Sequence, residues 1–130
     1  MATSPPDLPD LRLRILLGEG VMVGPGKAEL LDRIRDCGSI SAAGRAMGMS
    51  YKRAWSLVDE MNGGFAEPLV VSARGGPGGG GASLTATGVA VLAHYRAVVA
   101  AASTAGAADL RALQGLMRPA VVPDDMSDGK

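Results

Sequence analysis

From Gly38 to Val58 the chain carries Arg45, Lys52 and Arg53 and no acidic residue. Over its whole length of 130 residues, 13 Lys and Arg balance 13 Asp and Glu. A basic stretch inside a neutral chain is a local patch, and a globally basic coat is excluded. Guanidinium and ammonium groups neutralise phosphates or pair with the acceptor edge of guanine. Ser50, placed where a helix would begin, adds a hydroxyl and backbone amides that favour a phosphate. These residue types point to DNA binding through Arg45, Ser50, Tyr51, Lys52, Arg53, Trp55 and Ser56. The competing reading makes Lys52 and Arg53 solvated charges on an ordinary surface helix. Trp55 either packs that helix against neighbouring strands or touches a sugar or thymine methyl. Packing is favoured, because an exposed Trp is costly in the free protein.

Catalytic chemistry finds little to work with. The single Cys37 excludes an internal disulfide and a Cys-rich zinc site, and reads as a buried, inert thiol. The single His94 excludes a multi-histidine metal cluster and reads as a packed or surface side chain. Asp59-Glu60 and Asp124-Asp125 read as solvated charges. No enzyme activity, metal or cofactor is expected. The N-terminus has no basic segment followed by an apolar one, so nothing resembles a secretory signal. The apolar run from Val89 to Ala108 contains His94, Tyr95 and Arg96. It reads as an Ala-rich packing helix and not a membrane span, and the expected compartment is the cytoplasm.

The patch needs elements to hold it. Alternating Leu11-Arg12-Leu13-Arg14-Ile15 has the period of a half-exposed strand, Gly18-Glu19-Gly20 turns the chain, and Val21–Val23 returns. Leu30, Leu31 and Ile34 recur at helical spacing over Lys27–Cys37, with Gly38 suited to the helix end. Ser39 or Ser41 caps a short helix over Ala42–Met47, Gly48 turns, and Ser50 caps a helix running to Met61 or Asn62. Ala42, Ala43, Gly44 and Ala46 permit close packing of these two helices, with Ala54, Leu57, Val58 and Met61 facing inward. Asn62-Gly63-Gly64 is expected to end the second helix. Leu69–Arg74 and Ala82–Leu84 then read as strands, and Thr85 or Thr87 caps a long helix to about Ser103 whose stripe is Val91, Leu92, Tyr95, Val98 and Val99. A last helical segment covers Asp109–Met117. Residues 1–10 read as a loose arm and 118–130 as a tail, leaving 11–117 as one domain.

Gly75–Gly81 lacks the Gly-Lys-Ser/Thr ending of a phosphate loop and the strand-then-helix context of a dinucleotide site. Between two short strands it fits a hairpin tip, or wing, whose glycines bring backbone amides close to a DNA backbone, with Arg74 at its base and Gly78 and Gly79 near its apex. The alternative is a plain linker.

Ser50-Tyr51-Lys52-Arg53-Ala54-Trp55, Met61-Asn62, Pro68-Leu69-Val70 and the run from Gly75 to Thr85 resemble the DNA-binding half of ModE-type molybdate-responsive transcriptional regulators. The resemblance covers roughly residues 11–115, and the helix–turn–helix segment alone is more weakly similar to LysR-type regulators. It implies a mainly α fold with a small β wing: a winged helix–turn–helix with a long C-terminal dimerisation helix. It also implies recognition by the helix starting at Ser50, and dimerisation through Leu11–Val23 and Val89–Met117. Nothing after Met117 is expected to form the molybdate-binding domain of full-length members, so oxyanion sensing does not carry over.

The expected function is a homodimeric, sequence-specific DNA-binding transcriptional regulator using Arg45, Lys52, Arg53 and Arg74 on a near-palindromic site, about eight contacts per dimer. An interaction module that joins a separate metal or oxyanion sensor protein is the second reading. Direct oxyanion binding at the dimer interface is the third.

Overall fold

The computed structural model describes residues 9–73 and 81–119. It is mostly helical with two small antiparallel sheets, in keeping with a mainly α chain bearing a small β portion. The chain divides into two compact units, Arg12–Ala101 and the flanking Met1–Leu11 with Ala102–Lys130.

In the first unit, β1 (Ile15–Gly18) and β2 (Val21–Val23) form a two-stranded ribbon. Burial alternates from Leu11 to Leu16 as the sequence pattern predicts, yet regular pairing begins only at Ile15. β2 is three residues long and offers no ladder partner to Leu11–Arg14. The Leu13 carbonyl instead accepts a 2.7 Å hydrogen bond from the Tyr95 hydroxyl.

α1 (Pro25–Cys37) starts on a proline, whose missing N–H costs nothing in a first turn. It ends at Gly38, held at φ +71, whose N–H reaches the Ile34 carbonyl at 2.8 Å. Leu30, Leu31 and Ile34 are wholly buried, each contributing about 1.5–3 kcal/mol of apolar burial. On the exposed side Arg33 pairs with Glu29 and Arg35 with Asp32. Hydrogen bonding to Asp36, reinforced by Asp32, holds the Arg35 guanidinium above its ordinary pKa. Cys37, expected to be buried, is exposed, because the apolar stripe of α1 ends one turn earlier at Ile34.

α2 (Ile40–Ala46) begins two residues before the expected start, since Ser39 is the cap and accepts the Ala42 amide at 3.1 Å. A turn through Gly48 leads to α3 (Tyr51–Gly64), capped by Ser50. Ala54, Leu57, Val58 and Met61 are its buried face, as the periodicity predicts. The helix does not end at Asn62. It continues through Gly63 and Gly64, and Gly64 lies against the ribbon, where a Cβ would stand 3.1 Å from Val21 Cγ2.

β3 (Val70–Ala73) and β4 (Gly81–Leu84) pair antiparallel, Val70 opposite Leu84. One bond ties β4 to the end of α1, and another continues the ladder past the Val70–Leu84 pair. Ala82 N–H donates to the Gly38 carbonyl at 2.9 Å, and Thr85 N–H donates to the Leu69 carbonyl at 2.9 Å. Thr85 also caps α4 (Ala86–Ala105), accepting the Gly88 amide at 2.9 Å, whereas Thr87 bonds Glu67. α4 meets the length and hydropathy of a membrane-crossing helix, but Tyr95 bonds Leu13 and Arg96 pairs with Asp32, tying it to the ribbon and α1. Of its expected stripe, Leu92 and Tyr95 are buried, Val91 and Val99 are half-buried, and Val98 is exposed.

In the second unit, α5 (Ala107–Gly115) starts two residues before the expected Asp109 and buries no residue. Leu113, Leu116 and Met117 are exposed there.

Candidate nucleic-acid interface

α2 and α3 lie against each other through residues with almost no side chain. A Cβ built on Gly44 would stand 2.8 Å from the Ala54 Cβ, so the two helices approach as closely as that pair allows. The inward stripe of α3 recurs at 54, 57–58 and 61, so helical geometry turns 51–52, 55–56 and 59 outward. Tyr51, Lys52, Arg53, Ser56 and Asp59 are indeed exposed, and Arg45 is exposed near the end of α2.

The described cations fall into paired and unpaired sets, and Arg14, Arg111 and Arg118 belong with the unpaired ones among the described residues. Lys27, Arg33, Arg35 and Arg96 are in ion pairs. Among the described residues Arg45, Lys52 and Arg53 also form none. Unpaired cations meet an incoming phosphate without first breaking a salt bridge. Asp59 and Glu60 follow two turns later, which confines the positive face to the first half of α3. The first two amides of the helix, those of Tyr51 and Lys52, have no intrahelical acceptor, and they open the same end. The Ser50 hydroxyl is already engaged as the cap, accepting from the Arg53 amide at 3.0 Å. Its part is to start the helix and orient those amides.

Tyr51 is 61% exposed and meets Trp55 edge to face, with ring centroids 6.1 Å apart and planes at 71°. Trp55 is half-buried against the core, in line with the packing role. Its indole Nε1 is buried and has no hydrogen-bond partner among the described residues. Arg74, Gly78 and Gly79 lie outside the described residues.

Asn62 has a role that the sequence pattern does not show. Its Oδ1 accepts the Leu69 amide at 2.8 Å and the Val70 amide at 3.1 Å, and its Nδ2 donates to the Val70 carbonyl at 3.1 Å. No local pattern signals this, because the partners are seven and eight residues away beyond two glycines and a proline. Lys27 is equally silent in the sequence. It is only 9% exposed and bridges the Met22 carbonyl and Glu60, each at 3.1 Å. Glu60 is therefore a paired carboxylate and not the freely solvated charge expected.

Among the described residues no group of three His, Cys, Asp or Glu side chains converges on one point. A cleft of about 630 Å³ between the β1–β2 ribbon and the end of α3 is lined by Arg14, Glu19, Lys27 and Glu60 among others. Its buried cation is already neutralised by Glu60.

No family model matches the chain. Individual proteins do. The molybdenum-pterin-binding protein MopB of Rhodobacter capsulatus is 45% identical over 86 residues, 66% of this chain and 32% of MopB. The molybdenum transport protein ModE of Azotobacter vinelandii is 42% identical over 79 residues, 61% of this chain and 29% of that protein. The DNA-binding transcriptional dual regulator ModE of Escherichia coli K12 is 38% identical over 86 residues, 66% of this chain and 33% of that protein. The chain spans about a third of the length of these curated relatives. Over about two thirds of its own length, it is thus similar to proteins whose names describe molybdenum-pterin binding, molybdenum transport and transcriptional regulation.

Proposed function

We propose that the chain is a ModE-type regulator of transcription, a cytoplasmic winged helix–turn–helix protein that binds a near-palindromic DNA site as a homodimer. The observation that carries this reading is that Arg45 on α2 and Lys52 and Arg53 in the first turn of α3 are exposed, lie in a stretch without acidic residues and form no ion pair among the described residues. α3 is the element that enters the major groove. Lys52, Arg53 and Tyr51 reach base edges or phosphates, Ser56 follows on the next turn, and Arg45 neutralises the flanking backbone. The β3–β4 pair is the wing, and Arg74, Gly78 and Gly79 are its contacts to the duplex backbone. The regulator names among the relatives support the same reading.

Dimerisation is supported by apolar surface. Leu17 is 55% and Val98 46% exposed, and both line an apolar hollow of about 200 Å³ with Ile15, Phe65 and Val91. Residues 11–117 form the binding and dimerisation region. Exposed Leu113 on α5, with Leu116 and Met117 directly after the helix, favours a second reading as well, in which that segment docks on a separate sensor protein.

Fluorescence anisotropy with labelled genomic duplexes, titrated at several salt concentrations, tests the proposal. The expected result is a subset of fragments bound well above the rest, with affinity falling steeply as salt rises. Uniform weak binding to every fragment at physiological salt would overturn it.

A further inference from the structure

Asn62 lies seven residues, about two helical turns, beyond Trp55 on the same stripe of α3. Its carboxamide engages the beginning of β3 as a neighbouring strand would. One acceptor takes the amides of Leu69 and Val70, and one donor satisfies the Val70 carbonyl. A strand edge has the same need for alternating donors and acceptors, and here a single side chain supplies them. The same segment is gripped from its other neighbour, where the Thr85 hydroxyl donates to the Pro68 carbonyl at 2.7 Å. Gly88 of α4 sits so close that a Cβ there would collide with the Leu69 carbonyl oxygen. The start of β3 is therefore fixed between α3 and the first turn of α4, and Asn62 is the side chain through which α3 holds it.

We propose that Asn62 is a positioning residue for DNA recognition, fixing the angle of the β3–β4 pair to α3 so that both meet one duplex. This rests on the DNA-binding reading above. Asn62 itself touches no nucleic acid. It is half-buried, whereas Val71 and Ser72 on β3 and Ser83 on β4 are exposed. A side chain lacking the carboxamide leaves three backbone groups without these partners and frees the strands to swing. Asn62→Asp keeps the acceptor for the two amides and loses the donor to Val70.

The test pairs geometry with affinity. Nitroxides at Asp59→Cys on α3 and Ser83→Cys on β4, in a Cys37→Ser background, report the helix–strand distance by pulsed electron resonance. Unlabelled proteins report DNA affinity by anisotropy. With Asn62 the distance distribution is narrow. Asn62→Ala broadens it and weakens DNA binding roughly tenfold while the protein stays folded. Asn62→Asp falls between the two in both measurements. A distribution that stays narrow in Asn62→Ala, or one that broadens with affinity unchanged, overturns the proposal. If Asn62→Ala does not fold, Asn62→Asp decides by the same two criteria. Absence of DNA binding by the unsubstituted protein overturns the DNA reading and the recognition role with it, while the distances still show whether Asn62 orients the strands.

Discussion

Gly44 and Ala54 form the contact that sets the spacing of α2 and α3, with room for only one methyl group between the two backbones. Gly44→Ala places two Cβ atoms 2.8 Å apart, and neither belongs to a flexible side chain. The helices must separate, at a cost of about 1–3 kcal/mol. Chemical denaturation should show that loss, and Ala54→Gly in the same molecule should recover part of it. An unchanged midpoint in Gly44→Ala would contradict the packing described.

Adjacent glycines in α3 should respond with opposite sign. A Cβ at Gly63 meets nothing within 4 Å, so Gly63→Ala gains about 0.5–1 kcal/mol from helix propensity. At Gly64 the added methyl meets both γ-carbons of Val21, at 3.1 and 3.2 Å, and the propensity gain is opposed by crowding of the ribbon. Thermal melts of the two variants should rank Gly63→Ala above the parent and Gly64→Ala below Gly63→Ala.

For the unpaired cations the expected change is in DNA affinity and not in folding. Lys52→Ala and Arg53→Ala should leave the melting temperature within a degree or two, because both side chains are exposed and form no ion pair among the described residues. Where the removed cation neutralises a phosphate, the salt slope should fall by about one per half-site, hence about two for the dimer. Arg33→Ala, which removes an exposed pair with Glu29 on α1, serves as the comparison and should leave DNA affinity unaltered. Equal reductions in all three variants would show that only net charge matters.

Association should depend on the apolar hollow beside the β1–β2 ribbon. Val98→Glu and Leu17→Glu place a charge on residues already about half exposed, so the monomer should fold. Sedimentation equilibrium is expected to move from dimer to monomer in both. Persistence of the dimer in either variant would direct attention to other surfaces, α5 first.

Much of this was legible in the linear sequence. Helical spacing marked the inward faces of α1 and α3, serines and glycines marked helix ends, and an acid-free stretch marked the basic patch. These are local properties: 3.6-residue periodicity, capping and charge order act over a few residues, so no tertiary contact is needed to read them. The sequence pattern misleads where a long-range partner overrides a local signal. Gly64 reads as a helix stop until Val21 is found beside it, and Glu60 reads as solvated until Lys27 reaches it. Asn62 reads as a helix terminator until its carboxamide is seen on Leu69 and Val70. Residue type and order thus determined which helices form and which cations face out. The tertiary structure decided how those helices are held to the strands, because a hydrogen bond or steric contact between distant segments exists only once the chain has closed on itself.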